Sequence, residues 1–194
     1  MQTDPDLAGV QWLTAYVELY RTAFADGWVQ PQIFELQDRI VETQVRGGKV
    51  TFAGNGGSVA IASHCAVDFS KTAGIRCINF NVENLITCLA KDYGCECWVE
   101  KALRLYADDG DLVILISSRG RSSNILRAAE YARSRQLPLV LLTGFDADTS
   151  PRALGDLCFW SDRSAYNVVE ITHHVWLLAV CELIVSTAEY AAVR

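Results

Sequence analysis

The sequence predicts an α/β fold in which a mostly parallel sheet of five strands carries helices on both faces. From Lys49 onward, short β-prone segments alternate with longer segments of helical periodicity. Regular alternation of this kind indicates parallel strands joined by crossover helices. One β-prone segment, residues 112–116, is an unbroken apolar run, which is typical of a strand covered on both faces.

The elements follow one another in a simple order. Apolar residues within 10–45 recur at helical spacing, which predicts two N-terminal helices with a break near Gly27 and Pro31. The predicted strands are residues 50–53, 75–80, 111–116, 138–142 and 157–160. The predicted helices among and after them are residues 58–70, 82–89, 97–106, 122–136 and 168–190. We therefore divide the chain into a helical segment, residues 1–47, and an α/β domain, residues 48–194.

The composition indicates a globular chain with few extreme features. Of the 194 residues, 51% are hydrophobic and 21% are charged, and the net charge is -6. An acidic chain lacks the basic surface that nucleic acids require, so we expect no nucleic-acid partner. Residues 1–7 do not resemble a secretion signal, and the apolar run 175–181 is too short to span a bilayer. Seven scattered cysteines, an odd number, fit a reducing cytoplasm.

Two loops carry the clearest chemical signal. Residues 54–58, Gly-Asn-Gly-Gly-Ser, follow the first predicted strand and lead into a helix. Residues 117–124, Ser-Ser-Arg-Gly-Arg-Ser-Ser-Asn, do the same after the third predicted strand. Glycines let a ligand approach the backbone closely, and a helix start offers N–H groups and a positive dipole end to an anion. Because ligands of parallel sheets bind at the carboxyl ends of the strands, the two loops predict a phosphate site.

Each loop has a simpler interpretation when it is taken alone, as a turn followed by a helix N-cap. Two such loops in equivalent places after two strands favour the phosphate site. The spacing of the glycines matches neither a dinucleotide fingerprint nor a P-loop, because no Gly-Lys-Ser/Thr follows them.

The motifs resemble those of a known family. Residues 54–58, G-N-G-G-S, and 116–122, I-S-S-R-G-R-S, resemble the two signature loops of SIS domains. Residues 89–94, L-A-K-D-Y-G, and 142–144, L-T-G, resemble stretches of phosphoheptose isomerases. The resemblance runs from about Gly47 to Leu183. It implies a three-layer α/β/α sandwich, a segment 1–47 that forms oligomers, either tetramers or dimers, and sites at subunit interfaces.

The resemblance also implies that the ligand is a phosphorylated sugar. The residues that it assigns to the sugar phosphate are Asn55, Gly56, Gly57, Ser58, Asp92, Ser117, Ser118, Arg119 and Ser122. Among these, Asp92 would face the sugar, and the glycines would contribute backbone groups.

Two of the predicted helices carry side chains suited to acid–base or metal chemistry. His64 and Asp68 are four residues apart, and so are Glu170 and His174, so each pair shares a helix face. Such pairs are workable half-sites for a divalent metal. His173 and His174 are about 100° apart on a helix, so we expect only one of them to point into the site.

Phosphoheptose isomerases carry a histidine at the position of His64, a catalytic glutamate at that of Asp68 and a metal-binding glutamine at that of Glu170. This chain has Leu178 where the family has a catalytic histidine. The resemblance therefore implies Asp68 as the base and His174 or His173 as the acid. It implies zinc as the metal, with a list of expected ligands: His64, Asp68, Glu170 and His174.

We therefore expect a sugar-phosphate isomerase of the phosphoheptose isomerase type, in which a ketose phosphate such as sedoheptulose 7-phosphate becomes an aldose phosphate through an enediol. The alternative is a non-catalytic SIS protein that binds a sugar phosphate or a protein partner such as a replication initiator. Asp68 and Leu178 favour this alternative, and an arginine at the position of Arg119 also occurs in initiator-binding relatives.

Overall fold

A computed structural model describes residues 5–24, 27–145 and 150–187 of the chain. Five strands form one sheet in the order β2-β1-β3-β4-β5, and every neighbouring pair is parallel. The strands are β1 (Val50–Gly54), β2 (Cys77–Asn79), β3 (Leu112–Ser117), β4 (Leu139–Gly144) and β5 (Leu157–Ser161). The predicted five-stranded parallel sheet is confirmed.

Helices cover both faces of this sheet. They are α1 (Pro5–Phe24), α2 (Val29–Val45), α3 (Gly57–Lys71), α4 (Glu83–Tyr93), α5 (Trp98–Tyr106), α6 (Ser123–Ser134) and α7 (Tyr166–Val185). Helices α2, α3 and α7 pack on one face, and α4, α5 and α6 pack on the other. A short 3₁₀ helix, Ser150–Ala153, lies between β4 and β5. The last helix was predicted to reach residue 190, and its final residues, 188–190, lie outside the described part of the chain.

Alternating side chains along the central strand build both layers of the core. In β3, Leu112, Ile114 and Ile116 face α2, α3 and α7, whereas Val113 and Leu115 face α4, α5 and α6. Every residue of β3 is buried, because a strand inside an α/β/α sandwich has no solvent-facing side. The predicted three-layer arrangement follows directly from this pattern.

The two N-terminal helices differ in how far they join the core. Helix α2 contributes Leu36 and Ile40, both 0% exposed, to the cluster beneath α3 and α7. Pro31 lies in the first turn of α2, where a missing N–H costs no helical hydrogen bond. Helix α1 packs against α7 but leaves Trp12 66% and Val17 57% exposed. Helix α2 is therefore part of the domain core, and α1 lies on its outside.

A buried ion pair joins the starts of the two strands that lead to the candidate site. Asp111, which is fully buried, accepts hydrogen bonds from the backbone N–H of Lys49 at 2.9 Å and from its Nζ at 2.6 Å. Lys49 directly precedes β1 and Asp111 directly precedes β3. The strands then pair in register from Val50 with Leu112 to Gly54 with Ile116. Because β1 and β3 end at the same position along the sheet, the loops that follow them lie side by side.

By length and composition, α7 is the one helix among the described residues that could cross a membrane. In the fold, 44% of its most apolar window is buried, and Trp176, Leu177 and Val180 pack in the core. The core helix of a soluble protein has the same composition, so this property is weak evidence for a membrane span.

Candidate active site

The candidate site lies where the strand order changes direction. Strand β2 flanks β1 on one side, and β3 flanks it on the other, so the chain proceeds outward in two directions from the β1–β3 pair. A switch point of this kind opens a crevice above the carboxyl ends of the strands, and ligands of parallel α/β folds bind there.

The first loop turns directly from β1 into α3. Gly56 has a φ of +57°, in the left-handed region that favours glycine. The N–H of Ser58 donates to the carbonyl of Asn55 at 3.1 Å, which closes the turn. Ser58 therefore lies in the first turn of α3, where it is 1% exposed. Its hydroxyl group is thereby placed at the positive end of the helix dipole.

The second loop leads from β3 into α6 and is rich in hydroxyl groups. Ser117 ends β3, and its hydroxyl donates to that of Ser122 at 3.5 Å. Ser122 is the N-cap residue of α6, but its hydroxyl makes no capping bond to the helix. Ser118 is buried, whereas Arg119 is exposed and places its guanidinium 5.8 Å from the ring centroid of Phe145. Ser117 and Ser118 therefore provide the buried hydroxyl groups of this loop, and Arg119 is exposed.

Side chains join the two loops across the crevice. Asn55 and Asn124 form a reciprocal amide pair with two hydrogen bonds of 2.9 Å. The hydroxyl oxygens of Ser58 and Ser118 lie 3.5 Å apart. The structure thus brings together residues that are 60 and 69 positions apart in sequence. We refer to the four serines as the serine cradle: Ser58, Ser117, Ser118 and Ser122.

A carboxylate from α7 lies in the serine cradle. The hydroxyl of Ser118 donates to Oε1 of Glu170 at 3.3 Å. The carboxylate also packs against Gly57, since a Cβ atom at that position would overlap all three of its terminal atoms. The absence of a side chain at Gly57 is therefore what allows Glu170 to reach the start of α3. The sequence assigns Glu170 to a metal, and in the structure its carboxylate accepts a hydrogen bond from the Ser118 hydroxyl.

Further along the two helices, α3 and α7 bring three of the predicted residues into a chain of polar contacts. Oδ2 of Asp68 lies 3.1 Å from Nε2 of His64. The other ring nitrogen of His64, Nδ1, lies 2.8 Å from Nε2 of His174. The two rings meet edge to face, with centroids 4.8 Å apart. We refer to His64 and His174 as the imidazole pair.

Hydrogen-bonding rules fix the protons of this chain when both imidazoles are neutral. A carboxylate oxygen 3.1 Å from Nε2 of His64 favours a proton on that nitrogen, because two lone pairs at this distance would repel. Nδ1 of His64 must then accept from the Nε2–H of His174, which leaves a lone pair on Nδ1 of His174. Burial, reinforced by the nearby His64, lowers the pKa of His174, although Asp68 opposes this shift. His174 is therefore neutral and able to accept a proton near pH 7.

The structure removes His173 from the catalytic candidates. It is 0% exposed, and its Nε2 donates to the backbone carbonyl of Thr143 at 2.8 Å. Burial lowers the pKa of His173 to about 4, although the bond to Thr143 acts in the opposite direction. A neutral histidine bonded to the end of β4 supports the core and does not contact a ligand in the crevice.

Two further positions do not join the site within one chain. Asp92 is exposed on α4, which packs on the opposite face of the sheet from α3 and α7, so its predicted contact with the sugar is not made here. A role for Asp92 would therefore require the cradle of a second copy. Leu178, which stands one turn after His174 on α7, supplies no titratable group.

The imidazole pair does not have the geometry of a metal site. Imidazole nitrogens and carboxylate oxygens suit zinc in type. However, His64 and His174 direct ring nitrogens at each other, and Glu170 is engaged by Ser118. In residues 5–24, 27–145 and 150–187, no three His, Cys, Asp or Glu side chains are grouped as a metal site. The side chains as they stand therefore do not fit the expected zinc ion.

Two asparagines that shape the site were not among the predicted residues. The side chain of Asn81, just after β2, donates to the carbonyl of Gly54 at 2.8 Å and accepts from its N–H at 3.0 Å. Asn124 holds the second loop to the first through Asn55. The sequence signal for both is the same, an asparagine close to the carboxyl end of a predicted strand, and it is too common to stand out alone.

The fold and the serine cradle define an α/β protein of the kind that binds a small anionic ligand at the carboxyl edge of its sheet. The family model of the SIS domain matches residues 29–144, and the chain belongs to this family. The expected resemblance to phosphoheptose isomerases is also confirmed. The phosphoheptose isomerase of Colwellia psychrerythraea is 32% identical over 81% of this chain and 84% of that relative.

Other relatives extend this picture. The DnaA initiator-associating protein DiaA of Klebsiella pneumoniae is 30% identical over 76% of this chain and 80% of its own length. Among solved structures, the phosphoheptose isomerase of Neisseria gonorrhoeae superposes with a TM-score of 0.82 at 21% identity, over 93% of this chain and 99% of that one. An Escherichia coli CFT073 protein in complex with A5P superposes with a TM-score of 0.65 at 22% identity, over 94% and 93%.

Proposed function

We propose that this chain is a sugar-phosphate isomerase of the phosphoheptose isomerase type, which converts a ketose phosphate such as sedoheptulose 7-phosphate into the aldose phosphate. The observation that carries the proposal is that the serine cradle lies at the start of α3, and that α3 and α7 bear a chain of acid–base groups further along. The names of relatives over most of the chain support the same activity, and a structural neighbour holds the sugar phosphate A5P.

The serine cradle would hold the phosphate group of the substrate. Three of its four serines are buried, two loops contribute to it, and it lies at the N-terminus of α3, where an anion is stabilised. His64 follows Ser58 by six residues, which is about 9 Å along a helix axis. A sugar whose phosphate sits in the cradle would extend its carbon chain along α3 toward the imidazole pair.

The imidazole pair would carry out the proton transfers. Nδ1 of His174 takes a proton from C1 of the ketose, next to the C2 carbonyl, and an enediol forms. The proton is returned at C2, while the proton of the C1 hydroxyl moves to the C2 oxygen. The net change moves two hydrogens within the substrate, so no oxidant, reductant or water is consumed.

Asp68 would support this pair as well as being a candidate base. Its carboxylate, 3.1 Å from Nε2 of His64, would favour a proton on that nitrogen, which leaves Nδ1 of His64 as the acceptor and so orients His174. It also stabilises the positive charge that reaches His64 when His174 is protonated. This arrangement differs from the expected one, in which Asp68 alone acts as the base.

Zinc binding at this site would require a rearrangement. His64 and His174 would have to break their mutual hydrogen bond, and Glu170 would have to leave Ser118, before all of these side chains could face one ion. No step of the proposed reaction is routed through a metal. Metal analysis of the purified protein, with and without added zinc, decides whether the expected ion is present.

We also propose that the chain works as a homo-oligomer in the cytoplasm. Large apolar side chains of α1 and α2 are exposed, among them Trp12, Leu13, Val17 and Phe34. Beside them, an apolar groove of about 610 Å³ runs between α2 and α7. Exposed apolar side chains beside an apolar groove are typical of an interaction surface, and a second copy would cover them. Light scattering on the wild type and on Trp12→Glu tests this, since a monomeric wild type contradicts the proposal.

A second candidate is a protein that binds a sugar phosphate or a protein partner without catalysis. Leu178 supplies no acid–base group, and His173 is buried in the core. His174 is therefore the one histidine of α7 that can act on a ligand in the candidate site. DiaA proteins, which are named as associating with the DnaA initiator, match the chain nearly as well as the isomerases do.

Incubation with sedoheptulose 7-phosphate, with and without zinc, distinguishes the two candidates. Formation of the aldose phosphate, followed by NMR, supports the isomerase. Thermal stabilisation by the sugar phosphate without turnover supports the binding protein. Absence of both turnover and stabilisation contradicts the proposed phosphate site itself.

A further inference from the structure

The negative charge of Glu170 lies where the proposed function requires the phosphate to bind. Oε1 of Glu170 accepts from the hydroxyl of Ser118, and that hydroxyl is 3.5 Å from the hydroxyl of Ser58. These are two of the four hydroxyls of the serine cradle. A ligand phosphate that used the Ser118 hydroxyl as a donor would have to take it from Glu170.

The start of α3 also favours competition between the Glu170 carboxylate and a ligand phosphate. The Glu170 carboxylate packs against Gly57, which is the first residue of α3. The first turn of a helix carries the positive end of the helix dipole, which favours an anion. Glu170 supplies such an anion from within the chain. Since α7 anchors it through the buried neighbours Val168, Val169 and Thr172, the backbone of Glu170 is held in place.

We propose that Glu170 is an internal substitute for the ligand phosphate, which fills the serine cradle in the free protein and must be displaced when a phosphorylated ligand binds. This inference rests on the proposed function, because it assumes that the cradle is a phosphate site. Glu170 then sets the affinity of the site: it lowers the affinity for any phosphorylated ligand, and it excludes ligands that cannot compete for Ser118.

The opposite role for Glu170 makes an opposite prediction. If its carboxylate instead contacted a ligand hydroxyl or held a cation, the removal of its charge would weaken ligand binding. The sign of the change in affinity therefore separates the two roles without any measurement of turnover.

The experiment compares Glu170→Gln with the wild type by titration calorimetry, with inorganic phosphate and sedoheptulose 7-phosphate as probes. Glutamine keeps the shape and can still accept from Ser118, but it carries no charge. We expect both probes to bind about tenfold or more tightly, because like charges a few ångströms apart at a partly buried site repel strongly. Glu170→Ala, which removes both the charge and the hydrogen bond, serves as a second variant if the first does not fold.

The matched control is Glu182→Gln, which makes the same charge change on the same helix, 12 residues from Glu170. It should leave both affinities unchanged. If the wild type binds sedoheptulose 7-phosphate and the Glu170 variants bind it equally or more weakly, this inference is wrong and the proposed function stands. If neither the wild type nor the variants bind either probe, the phosphate site itself is wrong, and the inference falls with it.

Discussion

The two sides of α7 place adjacent histidines in opposite environments. His173 lies on the core side, fully buried and bonded to the carbonyl of Thr143. His174 lies on the side that faces α3, half-buried and bonded to His64. A single step of about 100° around the helix therefore separates a structural imidazole from one that can exchange protons. The comparison shows that the side of α7 on which a histidine lies, and not the residue type, decides which of the two histidines can act on a ligand.

The largest expected effect is a loss of activity in His174→Gln, which tests the side of α7 that faces α3. Loss of a general base typically lowers a rate about 10²- to 10⁴-fold, so kcat with sedoheptulose 7-phosphate should fall within that range. Thermal stability and stabilisation by the substrate should change little, because the side chain is only half-buried. Ile171→Ala, an exposed position on the same helix, is the control. An unchanged kcat in His174→Gln would remove His174 from the mechanism.

On the core side of α7, His173 should make the free energy of unfolding depend on pH. The pKa of His173 is lowered by burial to about 4, against 6.5 for the unfolded residue. As the pH falls, His173 is therefore protonated in the unfolded chain before it is protonated in the folded chain. The stability contributed by the neutral, buried His173 is intact above pH 6.5 and is lost as the pH falls toward 4. The shift corresponds to about 3 kcal/mol.

His173→Leu tests this by chemical unfolding at pH 7.5 and pH 4.5. The variant cannot be protonated at residue 173, so its free energy of unfolding should fall less between these pH values than that of the wild type. The decrease in the free energy of unfolding between pH 7.5 and pH 4.5 should be up to about 3 kcal/mol larger in the wild type than in the variant. Equal pH dependence in both proteins would mean that His173 titrates freely and is not in the core.

The serine cradle should affect binding more than chemistry. In Ser117→Ala/Ser122→Ala, two hydroxyls are lost from the second loop, and each hydrogen bond to a charged group is worth about 1.5–3 kcal/mol. The affinity for sedoheptulose 7-phosphate should fall at least about tenfold, and thermal stabilisation by this ligand should disappear. Ser134→Ala, at the other end of α6, should retain both. Unchanged stabilisation in the double variant would exclude these serines from the phosphate site.

The smallest expected effect is in the pH profile of the isomerase. Burial and the neighbouring His64 lower the pKa of His174 from its usual 6.5, and a base must be neutral to act. The acid limb of kcat/KM should therefore lie below pH 6.5, with full activity retained at neutral pH. A limb above pH 6.5 would indicate that another group is the base.

Much of the fold could be predicted because its signals are local. The unbroken apolar run of β3 and the glycine and serine loops after β1 and β3 are visible in a few consecutive residues. The predicted strand 75–80 is less accurate, since the observed β2 spans only Cys77–Asn79. Ile75 and Phe80 are buried, so the apolar pattern continues beyond the residues that pair with β1. Burial, and not ladder pairing, produced that part of the signal.

The sequence by itself determined the α/β/α order, the two hydroxyl-rich corners and the presence of acid–base side chains on the helices that flank them. Only the tertiary structure decided that His174 and not His173 meets His64, that Glu170 enters the serine cradle, and that Asp92 lies on the other face of the sheet. The physical reason is that helix periodicity fixes the angles between side chains on one helix. The rotation of that helix against its neighbours is set by distant apolar contacts, such as those of Trp176 and Leu177 with the sheet.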